Sequence, residues 1–118
     1  MIKHNFRKLK IWKESLELVF ETYRLTKTFP NDEKFGLSSQ LNRCSVSIPS
    51  NIAEGSSKSS DKHFKTYLET SLGSAFEWET QIIIAKGLGY ISTEKFNELE
   101  KNINEIQKMI SGFKENLQ

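Results

Sequence analysis

Positive charge gathers at one end of this sequence. Lys3, His4, Arg7, Lys8, Lys10 and Lys13 crowd the opening segment, interleaved with Phe6 and Trp12, before the first acid at Glu14. A basic patch with aromatic rings suits phosphate backbones. A run of lysines is equally the ordinary solvated face of a helix. Lys58, Lys62 and Lys65 form a second basic group. The whole chain carries 17 Lys plus Arg against 15 Asp plus Glu, a net +2. That total is too small to imply nucleic-acid binding by itself.

Other chemistry is thin. The two histidines, His4 and His63, lack the glutamate three positions earlier that a di-iron bundle needs. One cysteine and two distant histidines make no zinc cluster, so no metal is expected. No histidine follows Arg7, Arg24 or Arg43 at the spacing of helical RNases of the HEPN type. A phosphate-cradling glycine loop and a nucleophile elbow are also missing, and no cofactor is implied. Cys44 falls on an apolar stripe and reads as an inert core residue. Asn51 and Glu54 lie three apart, opposite Glu77 or Glu79 on the next helix. Converging carboxylates and an amide suit acid–base work. A polar network satisfying backbone groups around Pro49 is the plainer reading.

These residues must be held by helices. A chain of 118 residues, 36% hydrophobic and 27% charged, is one globular domain over 1–118. No apolar run reaches the ~20 residues of a membrane span, and the start lacks a signal-peptide core. The lone cysteine fits a reducing compartment, so the cytoplasm is expected.

Apolar spacing is helical almost throughout. Phe96, Leu99, Ile103, Ile106, Ile110, Phe113 and Leu117 step by three and four, with Ser92 as cap. Before them Phe64, Leu68, Ser71, Ala75, Trp78, Ile82 and Ala85 form a stripe that Leu72, Phe76 and Ile83 broaden. Ser59 or Ser60 caps this helix, and Gly89 suits a left-handed terminus. The second helix starts at Asn31 or Asp32 and carries Leu37, Leu41, Cys44, Ile48 and Ile52, with a kink at Pro49. The first runs from about Asn5 to Thr28 with Leu9, Trp12, Leu16, Val19 and Tyr23 as its core stripe.

Four long helices with short turns predict an all-α, antiparallel up-down-up-down four-helix bundle. Ile11, Leu18 and Leu25 form a second apolar line on helix one. Either it widens the core contact, or it stays exposed on a monomer and marks an oligomer interface.

The segment from Phe35 to Gly55, with its Ser47-Ile48-Pro49-Ser50-Asn51-Ile52-Ala53-Glu54-Gly55 run, resembles the signature of proteins encoded by intervening sequences in 23S ribosomal RNA genes. Leu9 to Lys13, Leu72 to Gln81 and Ala85 to Tyr90 are similar too. A related branch is the accessory variability protein of diversity-generating retroelements, which works with a reverse transcriptase. The resemblance implies a barrel-like homopentamer of four-helix bundles, nucleic-acid binding through basic surface, and no known catalysis. It marks Pro49, Asn51, Glu54 and Gly55 as signature positions. Arg43 matches a usually basic position, whereas Asn42 departs from the pattern. The expected function is non-enzymatic binding of nucleic acid, structured RNA first, by Lys3, Arg7, Lys8, Lys10 and Arg43. The competing reading is a scaffold that docks a protein such as a reverse transcriptase.

Overall fold

The computed structural model describes residues 4–117. Helices α1 (Lys10–Thr26), α2 (Leu37–Ser56), α3 (Asp61–Gly87) and α4 (Thr93–Glu115) dominate it. Short 3₁₀ turns occupy Phe6–Lys8 and Asn31–Glu33, and no strand occurs among the described residues. The α1–α2, α2–α3 and α3–α4 seams are extensive, while α1–α4 is looser. At one end the His4 ring packs 5.2 Å from Phe64 and 5.9 Å from Phe113. At the other, Phe29 lies 5.4 Å from Tyr90. Those two clusters require successive helices to run in opposite directions. The body measures 47 × 24 × 20 Å.

Local chemistry sets most boundaries where the sequence places them. Ser60 Oγ accepts from His63 N–H, and Ser92 Oγ accepts from Lys95 N–H, each satisfying an orphan donor of the first turn. Gly89 takes φ +83°, the left-handed value that favours glycine. With it, Tyr90 N–H donates to the Ala85 carbonyl and Gly89 N–H to Lys86, closing α3. Helix α2 runs through Pro49 to Ser56. The proline takes away one intrahelical bond but not the helix.

Two starts differ from expectation. Helix one begins at Lys10, not Asn5, because Leu9 is extended (φ −76°, ψ 126°). Arg7, Lys8, Lys10 and Lys13 would meet the positive end of the helix dipole, and no acid stands in the first turn to offset them. The break lets Phe6 fold onto Trp12, with ring centroids 5.1 Å apart. Helix two begins at Leu37, after a separate 3₁₀ turn at Asn31–Glu33. Its N-cap is Gly36, and the Glu33 carboxylate accepts from Leu37 N–H (3.1 Å) and from the Tyr90 hydroxyl (2.8 Å).

The largest correction concerns the rotation of α1. Ile11, Leu18 and Leu25 are buried and belong to the core, so they are not a free oligomer interface. The expected core stripe is inward only in part: Val19 is buried and Leu9 and Trp12 pack against the core, but Leu16 is half-buried and Tyr23 is exposed. Ser15 and Thr22, both fully buried, complete the inward face. Their hydroxyls donate to the carbonyls of Ile11 and Leu18 four residues back, which makes them tolerable inside. Two small polar residues on the core side disguised it.

Signature residue Gly55 has a packing reason. A Cβ there would lie 2.6 Å from Tyr67 Cβ and 2.9 Å from Phe64 Cδ1, so α2 and α3 meet with no room for a methyl group. Gly55→Ala is expected to cost about 1–3 kcal/mol in urea unfolding, the usual penalty of overpacking. Gly73 faces open space inside α3, and Gly73→Ala should instead stabilise by up to ~1 kcal/mol.

Candidate nucleic-acid interface

The cationic residues named from sequence do not form a single patch. Arg7, Lys8 and Lys10 are exposed around the 3₁₀ turn and the start of α1. Arg7 shares a cleft with Ala53, Ser56 and Ser57, beside the α2–α3 turn, whereas Lys10 borders the α1–α4 groove with Glu14 and Glu17. On that turn Lys58 Nζ sits 5.0 Å above the Tyr67 ring, and Lys62 is exposed. Arg43 is exposed on α2, roughly 20 Å along the axis from that end, and stands apart from the group. Lys3 lies outside the described residues. Ion pairs between described residues join Lys95 to Glu21 and Glu98, and Lys114 to Glu69. Arg7, Lys8, Lys10 and Arg43 take part in none of them. Such cations keep their charge available to phosphate.

Apolar surface remains on two helices. On α1, Trp12, Leu16, Phe20 and Tyr23 fall within one strip at about 100° per residue, with Phe20 48% exposed. On α3, Leu72, Phe76 and Ile83 form another, with Phe76 52% exposed. Phe76 and Ile83 therefore lie on the outside of α3, while Leu72 packs against the core at the strip's edge. The hydrogen bond from Trp78 Nε1 on α3 to Thr22 Oγ1 on α1 (3.0 Å) crosses the bundle interior. The two outer strips therefore lie on different sides of the molecule.

The acid–base constellation does not assemble. Asn51 Nδ2 donates to the Ser47 carbonyl (2.8 Å) and hydroxyl (3.0 Å), and the Ser47 hydroxyl pairs with Ser74 on α3 (2.8 Å). Asn51 thus stitches its own helix and the α2–α3 seam. Glu54 is exposed, while Glu79 turns to α4, where it accepts from Gln107 Nε2 at 2.9 Å. Cys44 donates to the Ser74 carbonyl. Burial first, and then the Glu77 carboxylate, pushes its thiol up to about 12. A thiol so far from ionisation is no nucleophile at neutral pH. No group of three His, Cys, Asp or Glu among the described residues is placed to hold a metal ion.

One pair of groups was not legible from spacing. Glu100 on α4 bonds Glu79 on α3, and that bond, followed by burial and the Glu79 charge, raises the Glu100 carboxyl to about 7. Glu79 is lowered by the bonds from Glu100 and Gln107. The acids lie 21 positions apart on facing helices, and only the α3–α4 contact brings them together. Folding tightens the Glu100 proton, so its stabilisation is complete below the ordinary glutamate value of 4.5 and disappears as pH rises through about 7. Glu79 has the opposite sign, contributing above the ordinary range and losing that contribution as pH falls through its lowered value. Melting temperature by circular dichroism should therefore fall between about pH 5.5 and pH 8.5. In Glu100→Gln, which donates to Glu79 at every pH, that fall should shrink and the melting temperature at the upper pH should exceed wild type.

No helix among the described residues is long and apolar enough to cross a membrane. A solved protein of unknown function from Bacteroides thetaiotaomicron, described as a member of the S23 ribosomal protein family, superimposes with a TM-score of 0.83 at 27% identity. The match covers 90% of this chain and 96% of that one. No curated protein sequence matches. Residues 7–112 match the profile of the 23S rRNA-intervening sequence protein family. The signature run, the four helices and this near-complete match agree, and the chain belongs to the 23S rRNA-intervening sequence protein family.

Proposed function

We propose that this protein is a non-catalytic, homo-oligomeric bundle that binds structured RNA through the cations at its N-terminal end. The observation that carries the reading is the set of exposed cations Arg7, Lys8 and Lys10, none of them in an ion pair between described residues, with Arg7 in a cleft beside the α2–α3 turn that carries Lys58. Binding by such a group is phosphate neutralisation without base readout, so affinity falls steeply with salt. Arg43, standing apart, extends the cationic surface along α2 and is secondary.

Assembly multiplies this charge, since every cation recurs in each subunit. Phe20 on α1 and Phe76 with Ile83 on α3 support self-association, because each face presents large apolar side chains to water. Two different faces favour a head-to-tail contact, and a head-to-tail contact whose rotation closes makes a ring. A pentamer is the expected state. The scaffold reading that used Ile11, Leu18 and Leu25 loses its docking line, because those residues are core.

The test of binding is a salt titration with a structured RNA. Lys8→Glu with Lys10→Glu should weaken binding at least about tenfold and flatten the salt dependence by about two phosphate contacts, leaving mass by light scattering unchanged. Wild-type affinity that ignores salt would overturn the reading. For assembly, Phe20→Glu and Phe76→Glu should each reduce the mass to that of a monomer. Mixing the two variants should restore a dimer, because each retains the face that the other lacks.

A further inference from the structure

The opposite end of the bundle carries a second set of groups suited to nucleic acid. Phe35, just before α2, is 90% exposed, the most exposed large hydrophobic residue described. It adds nothing to the core, so folding does not account for it. Lys34 Nζ lies 5.6 Å from its ring centroid. Lys34 also borders a groove of about 290 Å³ between the end of α1 and the start of α2, with Tyr23, Lys27, Ser38 and Asn42 among its other residues. That volume is close to the ~300 Å³ lower bound of small-ligand pockets.

The groove is equipped on three counts. Lys27 and Lys34 are exposed cations at its rim, and neither takes part in an ion pair between described residues. Tyr23, 43% exposed, adds a second ring. Asn42 Oδ1 accepts from Thr26 Oγ1 (2.9 Å), which orients the amide, and Asn42 Nδ2 and Ser38 Oγ donate to no protein group among the described residues. Of the two acids on the turn, Glu33 is engaged with Leu37 N–H and Tyr90, and Asp32 is exposed.

We infer that the α1–α2 end of the bundle is a site for single-stranded nucleic acid, with unpaired bases stacking on Phe35 and Tyr23 and phosphates held by Lys27 and Lys34. Exposed rings beside cations recognise single strands because every free base has a π-face, while a duplex keeps its bases stacked inside. The inference rests on the nucleic-acid reading above but uses different residues at the other end of a 47 Å body. A structured RNA with an unpaired tail would engage both ends.

The experiment uses fluorescence anisotropy with labelled oligo(dT) and with a matched blunt duplex, on wild type, Phe35→Ala, the pair Lys27→Glu with Lys34→Glu, and the pair Lys8→Glu with Lys10→Glu. Phe35→Ala should weaken oligo(dT) binding roughly tenfold, leave duplex binding within about twofold, and change neither mass nor melting temperature. The Lys27 and Lys34 reversals should weaken oligo(dT) and flatten its salt dependence. If wild type binds oligo(dT) and these variants bind it equally well, this inference fails and the proposed function stands. Should Phe35→Ala lower the mass, the ring is an assembly contact and the inference is likewise overturned. A wild type that binds neither probe defeats both readings together.

Discussion

The arrangement depends on one buried indole. Trp78 has no exposed surface, and an unpaired N–H in that setting costs about 1–3 kcal/mol. Its only described acceptor is the hydroxyl of Thr22, itself fully buried on the opposite helix. Meeting that requirement fixes the rotation of α1. Thr22 inward brings Ser15, Ile11, Leu18 and Leu25 inward with it, because they share its face. Leu16, Phe20 and Tyr23 are then turned towards the outside. A surface rich in aromatic side chains is thus a consequence of a hydrogen bond in the centre.

The α2–α3 seam carries a comparable constraint, and it explains the signature run. Gly55 admits the close approach of Phe64 and Tyr67. Ser71 on α3 donates to the Ile48 carbonyl, one residue before Pro49, within the buried seam. Ser47, Asn51 and Ser74 form a short ladder, and Cys44 bonds the Ser74 carbonyl. These polar groups are paired with one another or with backbone, the condition under which buried polarity is inexpensive. The motif that identifies the family is, in this chain, chiefly a recipe for packing two helices closely. Glu54, exposed, is the member without such a role.

With the interior occupied in this way, the surface is what remains for binding. The described charges separate into a cationic N-terminal end, a mixed α1–α4 groove with Glu14, Glu17, Glu21 and Glu105 beside Lys10 and Arg24, and a cationic, aromatic α1–α2 end. Near-neutral net charge therefore hides two local concentrations of positive potential, and local fields rather than totals steer a polyanion.

Helix number, order and most termini follow from residue type alone. The stripe from Phe96 to Leu117, the caps at Ser60 and Ser92 and the glycine at Gly89 are short-range effects, decided within a turn or two of chain. The signature run marked the family for the same reason, since a motif is local. Three things needed the folded chain. Which apolar line of α1 faces inward was settled by Trp78, 56 residues away from Thr22, and two buried hydroxyls concealed it from periodicity. The start of α2 was settled by Glu33, held between Leu37 and Tyr90 from a distant turn. The Glu79–Glu100 pair and the groove that Lys34 borders arise where separate segments meet. Local spacing encodes the elements, but contact between distant segments decides which face each one shows to water.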